Sequence, residues 1–298
     1  MIIKVNASRS YDIQIEKGII TEKGLPEGFI ISDANISSLY PHFFINRNHF
    51  IIQAGENSKS FEIYLKILNE LLKTEEKGIV AFGGGVVGDL AGFVASTYKR
   101  GIALIQVPTS LLAMVDSSIG GKNGINLNEK KNYVGTFYQP SSVIIDTSFL
   151  QTLPEKEFKN GVAEIIKYFF LFKRPELELL KNLNKEYIEK IIFECCKIKA
   201  EIVEKDEFDK NIRHILNFGH TIGHAIELLY NLSHGEAISI GMVREAEIGK
   251  KLNLFNDSDI ARLKNILTIN NLPVELPKDL DIEKVLDLIK QDKKGSFI

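Results

Sequence analysis

At 298 residues the chain is long enough for about two domains with a sizeable core, and 44% hydrophobic with 26% charged residues excludes fibrous and disordered classes. A net charge of −2 provides no global basic field, which argues against nucleic acid or an anionic membrane as the main partner. The two cysteines, Cys195 and Cys196, are adjacent and cannot form a disulfide framework. With no signal-like apolar stretch in the first residues and no run long enough to span a bilayer, the expectation is a soluble cytoplasmic protein.

Taken in chain order, short Ile- and Val-rich runs predict strands over residues 2–5, 12–15, 29–32, 50–53, 79–82, 102–107 and 143–146. Helical patterns lie between them at 60–72 and 87–96. The first two strands suit a hairpin and the later ones a mostly parallel sheet. After Leu153-Pro154 the apolar spacing changes to three and four, which predicts helices over 155–171, 175–183, 186–204, 212–230, 236–251, 257–269 and 282–289. The expected fold is an α/β N-terminal domain, residues 1–152, with a mostly parallel Rossmann-like sheet, followed by an all-α C-terminal domain, residues 153–298.

Between a predicted strand and helix stands Gly83-Gly84-Gly85-Val86-Val87-Gly88-Asp89, a G-x-G-x-x-G spacing. Glycines there let backbone N–H groups approach a pyrophosphate at a helix N-terminus; the plainer alternative is a tight turn with no ligand. Asp33, just after a predicted strand, suits either a ribose diol or a helix N-cap. His220, His224 and His234 fall within fifteen residues. Two imidazoles and a carboxylate such as Glu164 would make a catalytic metal set, whereas a surface pair and a capping His234 are the structural alternatives. Lys122 and Lys131 sit in Gly-rich segments that read as loops, suited to an anionic ligand or simply to solvent. Lys167 lies three residues after Glu164 among apolar neighbours, as an ion pair or part of a site.

These segments together resemble the 3-dehydroquinate synthase family from about Ser32 to Lys294. The motifs are Gly83 to Phe93, Arg100-Gly101, Pro108 to Lys122, Lys131-Asn132, Ala163 to Lys167, Leu216 to His224 and His234-Gly235-Glu236. The resemblance implies a divalent metal, Zn or Co, on Glu164, His220 and His234, which leaves His224 for substrate phosphate. It implies NAD among Asp33, Glu56, Lys59, Gly84, Gly85, Val86, Asp89, Thr109, Ser110, Lys131, Phe149 and Thr152. A phosphorylated sugar acid would be held by Asp116, Lys122, Asn132, Lys167, Lys199, Arg213 and Asn217, with Arg100 reaching a neighbouring subunit in a homodimer. Two departures stand out: Asp209-Lys210-Asn211-Ile212-Arg213 replaces the family's Glu-x-Gly-x-Arg, and the family's late lysine falls at Lys293 or Lys294, at most five residues from the last residue.

The implied reaction converts 3-deoxy-D-arabino-heptulosonate 7-phosphate to 3-dehydroquinate and phosphate in the shikimate pathway of aromatic amino acid biosynthesis, with NAD regenerated at each turnover. The alternatives are a metal-dependent polyol or glycerol-phosphate dehydrogenase, which would accumulate NADH, and another sugar-phosphate cyclase.

Overall fold

Runs of Ile, Val and Phe with both faces apolar can be stable only in a sheet covered on both sides, and the first half of the chain forms such a sheet. The computed structural model describes residues 1–128, 130–174, 179–180 and 187–293, the last three of these by backbone alone. Strands β1 (Ile2–Val5) and β2 (Tyr11–Ile15) form the antiparallel hairpin. Then come β3 (Phe29–Asp33), α1 (Ala34–Leu39), β4 (His49–Ile52), α2 (Phe61–Leu71), β5 (Gly78–Gly83), α3 (Gly85–Thr97) and β6 (Ala103–Pro108). A two-stranded ribbon, β7 (Lys122–Leu127) and β8 (Lys130–Phe137), precedes β9 (Ser142–Ile145). The seven-stranded sheet has the order β1-β2-β9-β6-β5-β3-β4 and is parallel apart from its first pair.

The seven sheet strands lie within one residue of the spans expected from their apolar runs. The β7–β8 ribbon was not expected, since Gly and Asn depress strand propensity and the segment reads locally as loop. Packing overrides propensity here. Ile125 is fully buried and belongs to the core formed by Phe29, Ile31, Ile79, Leu90, Val94 and Leu104. Gly92 of α3 lets the ribbon approach, because a Cβ there would overlap the Asn123 side chain.

The second half contributes α4 (Glu155–Phe172), α5 (Ile188–Lys205), α6 (His220–Tyr230), α7 (His234–Lys251), α8 (Asp257–Ile269) and α9 (Ile282–Lys293). The helix expected over 175–183 lies largely outside the described residues, as do Lys294 and the side chain of Lys293. The chain divides into two compact units, residues 1–154 with 188–209 and residues 155–187 with 210–298. Helix α5 thus differs from the expectation of a second domain running unbroken from residue 153. Its face of Ile191, Ile192, Cys195, Cys196, Ile198 and Val203 is buried, and it packs on β1, β2 and the π-helical turn Ala113–Ser117. The Cys196 thiol donates to the Met114 carbonyl at 3.3 Å.

A second correction concerns residues 212–230, expected as one helix. A 3-10 segment, Ile212–Asn217, ends before Gly219, whose φ of +84° breaks the helix and lets α6 start at His220. Only glycine fits, since a Cβ would come within 2.5 Å of Met242 Cγ and 3.0 Å of the Ile238 carbonyl.

The Gly92 contact gives a test. Asn123 cannot swing aside freely, because its amide donates to the Gly121 and Tyr138 carbonyls at 2.7 and 3.0 Å. Gly92→Ala should therefore destabilise the chain by about 2 kcal/mol, overpacking outweighing the gain in helix propensity. A denaturant midpoint equal to or above that of the parent would refute this account of the close approach.

Candidate active site

Helix α4 carries Glu164 and Lys167 one turn apart, so both project from the same face, and both are buried. Their side chains form an ion pair. Two imidazoles reach the same carboxylate from two other elements. His220 occupies the first position of α6, created by the break at Gly219, and its Nε2 lies 3.3 Å from Glu164 Oε1. His234 occupies the first position of α7, and its Nε2 lies 3.0 Å from the same oxygen.

Both helix starts are secured by carboxylates. Ser233 and Glu236 form a capping box at α7. At α6 the N-cap is Gly219, which has no side chain to offer, and Glu245 of α7 substitutes by accepting from the Gly219 and Ile222 N–H groups at 2.7 and 3.2 Å. Glu245 was not singled out from the sequence; it acts across helices and leaves no local signature.

The electrostatics are tightly balanced. Burial alone would raise Glu164, but Lys167 and the two imidazoles hold it well below the usual carboxylate range. Burial alone would lower His234, yet Glu164 and Glu227 raise it to about 9. One carboxylate oxygen and two imidazole nitrogens, all within 4.8 Å of one another, form a mixed donor set that fits a borderline divalent ion such as Zn²⁺ or Co²⁺. His224, Glu227 and His234 satisfy the same spacing. The first set is the better one, because both Nε2 atoms converge on a single buried oxygen. His224 is exposed, its ring 5.1 Å from that of His220. Arg213 is buried and Asn217 exposed in the same unit.

In the other unit, β5 delivers the glycine-rich segment to the start of α3. Gly84 is its N-cap, with no side-chain cap among the described residues, so backbone N–H groups are presented for an anion. A Cβ on Gly84 or Gly85 would stand 3.4 or 3.1 Å from the Ser110 or Ser117 hydroxyl, crowding that cradle. Val86 follows in the first turn, and the Thr109 N–H donates to the Gly83 carbonyl at 3.0 Å. Nearly buried Lys59 binds Asp89 at 2.7 Å, lies 3.5 Å from Glu56 and bonds Asn132. Burial, with the neighbouring Glu56 charge, pushes the Asp89 carboxyl above its ordinary value against the opposing pull of Lys59 and Lys199. Lys131 precedes Asn132 on the exposed strand β8.

Asp33 is the N-cap of α1, its Oδ1 accepting from Asn35 and Ile36, so the capping alternative is realised. Phe149 is buried among aromatic rings, 5.1 Å from Tyr40 and 5.3 Å from Phe82, while the Thr152 hydroxyl meets that of Tyr40 at 2.7 Å. Helix α5 brings Lys199 to Asp116, with Nζ 2.7 Å from the carboxylate and 2.5 Å from the carbonyl. Lys122 pairs with Asp209, which stands where the family has glutamate. Arg100 is exposed at a φ of +65°, ending a short 3-10 turn.

A mostly parallel sheet with a glycine-rich helix start that has no side-chain cap among the described residues, and a helical unit in which a carboxylate and two imidazoles converge, define a two-unit α/β and α chain with an anion cradle in one unit and a mixed oxygen and nitrogen donor set in the other. Family models for the N-terminal and C-terminal parts of 3-dehydroquinate synthase match residues 49–160 and 161–295. The chain is 43% identical over 316 residues to 3-dehydroquinate synthase of Thermodesulfovibrio yellowstonii, covering 96% of this chain and 88% of that one. To the Clostridium beijerinckii 3-dehydroquinate synthase it is 44% identical over 314 residues, covering 96% and 89%. Among solved structures it resembles a 2-deoxy-scyllo-inosose synthase in complex with carbaglucose-6-phosphate, NAD⁺ and Co²⁺, with TM-score 0.86, 28% identity and coverage of 97% and 86%. An iron-containing alcohol dehydrogenase shares the fold alone, with TM-score 0.65, 16% identity and coverage of 99% and 95%. The chain belongs to the 3-dehydroquinate synthase family.

The raised His234 has a measurable signature. Its folded value of about 9 exceeds the ordinary 6.5, so its protonated form stabilises the metal-free chain fully below pH 6.5 and loses that effect as pH rises through 9. In chelator-containing buffer, the Tm advantage over His234→Ala should shrink across this window. An advantage independent of pH would rule out the carboxylate pairing as its source.

Proposed function

We propose that the chain converts 3-deoxy-D-arabino-heptulosonate 7-phosphate to 3-dehydroquinate and inorganic phosphate, as an NAD- and divalent-metal-dependent lyase of the shikimate pathway. Family membership supports the reaction. The convergence of His220 and His234 on buried Glu164 is the observation that carries the metal-ligand assignment. Glu164, His220 and His234 would hold an ion that would supply Lewis acidity to substrate oxygens, and the α3 start would hold NAD, which would supply reversible hydride acceptance and so not be consumed.

The chain's own groups have separable tasks. Glu164 contributes the single negative ligand, and Lys167 keeps it ionised while presenting a cation for substrate carboxylate or hydroxyl oxygens. Arg213 and Asn217 add donors to that set. Lys122, Asn132 and His224 would neutralise the departing phosphate, Asp209 fixing where the Lys122 ammonium rests. Asp116 and Lys199 hold each other for substrate hydroxyls.

For NAD, the α3 start with Gly84, Gly85 and Val86 would take the pyrophosphate, and Thr109, Ser110 and Lys131 would flank it. The Lys59 network with Glu56 and Asp89 orders this side. Asp33 retains its second carboxylate oxygen for a ribose diol while its first caps α1. Phe149 backs the site from within its aromatic cluster, with Thr152 at its edge. In a homodimer, as the family resemblance implies, the exposed Arg100 would reach the neighbour's phosphate. Cys195 and Cys196, both buried and neither joined in a disulfide among the described residues, fit a cytoplasmic setting, and no described helix is long and apolar enough to cross a membrane.

With substoichiometric NAD and added divalent metal, many equivalents of phosphate should be released per NAD, with 3-dehydroquinate formed in step and activity lost on chelation. Lys167→Ala should still bind NAD but lose about 10²–10³-fold in kcat. NADH accumulating in proportion to product would instead establish a polyol dehydrogenase.

A further inference from the structure

His220 and His234 share an arrangement beyond their common approach to Glu164. Each ring presents Nε2 to the carboxylate, at 3.3 and 3.0 Å, and Nδ1 to a separate oxygen on its far side. For His220 that oxygen is the Phe218 carbonyl, at 3.2 Å. For His234 it is Glu227 Oε2, at 3.5 Å. The first partner is backbone, set by the turn before α6, whereas the second is a side chain that can be replaced. Glu227 lies seven residues after His220 on α6, two turns along the same face, and is only 17% exposed.

We propose that Glu227 is a positioning residue for the metal centre: it accepts the Nδ1 proton of His234 and so holds Nε2 as the nitrogen that faces the ion. The proposal rests on the ligand set Glu164, His220 and His234. An imidazole can ligate through one nitrogen only while the other keeps its proton, and an acceptor at the second nitrogen selects the tautomer and locks the ring against a flip. His234 needs such a lock, because it stands at the first position of α7, directly after the residues that join α6 to α7, and no helical turn precedes it to fix its ring. A carboxylate acceptor also makes the imidazole a stronger donor to a cation than a carbonyl would.

The test is metal binding by the full-length chain, free of NAD and substrate. Zn²⁺ would be titrated in competition with a chromophoric chelator, and the ligand-field absorption of the Co²⁺ form recorded. Glu227→Ala should bind one ion about 10–100-fold more weakly, with an altered Co²⁺ spectrum. Glu227→Gln keeps a neutral acceptor oxygen, so its loss should be smaller; it also carries the test if the alanine variant does not fold by circular dichroism. Parent-like affinity and spectrum in the folded variants would overturn the role of Glu227. His220→Ala should lose tight binding outright. If it does while Glu227 variants are unaffected, only the positioning role falls. If His220→Ala still takes up one ion tightly while Glu227→Ala and His224→Ala do not, the ion is held by His224, Glu227 and His234, and both the ligand set and the positioning role are overturned.

Discussion

A carboxylate with almost no access to water, set in the apolar face of a helix, is the constraint around which the second unit is arranged. Unpaired, the Glu164 charge would cost several kcal/mol, so the fold must bring cations or donors to it. Lys167 does so from the same helix, at a spacing the helix itself provides. The imidazoles must come from elsewhere, and each is the first residue of its own helix. A side chain at a helix start is fixed by where the helix begins. Gly219, the Glu245 carboxylate and the Ser233–Glu236 capping box are therefore as much part of the cluster as Glu164 and the two imidazoles are.

The first unit uses its buried charges differently. Lys59 gathers Glu56, Asp89 and Asn132 into one network beside the start of α3, and Lys199 is tied to Asp116 across a π-helical turn. Each lysine is nearly buried and each is paired, so its ammonium is held in place rather than free to sample solvent. Preorganised cations of this kind can bind a phosphorylated, hydroxyl-rich molecule without first losing side-chain entropy.

Architecture alone does not select the reaction, since an alcohol dehydrogenase shares the fold at 16% identity. The family relationship rests on the long motifs and on relatives more than 40% identical over nearly the whole chain. Within those motifs Asp209 is a local departure. One methylene shorter than the family's glutamate, it pairs with Lys122 from a backbone φ of +54°.

Much of this was legible in the order of residues. Period-two and uniformly apolar runs determined the sheet strands, and three- and four-residue spacing determined α4, α7 and α8, because each pattern reports local burial that the element itself creates. The i,i+3 placement of Glu164 and Lys167 and the glycine-rich turn before α3 are local for the same reason. Tertiary structure decided the rest. It made a ribbon of the Gly- and Asn-rich residues 122–137 by packing them on Gly92, and it returned α5 to the first unit through a face that any core could have buried. It broke residues 212–230 at Gly219, where the backbone takes a positive φ and the close approach of α7 leaves no room for a Cβ. It also brought Glu245 under α6 and Glu227 behind His234, partners 26 and 7 residues distant in the chain, because which side chains meet across helices depends on packing that no local pattern encodes.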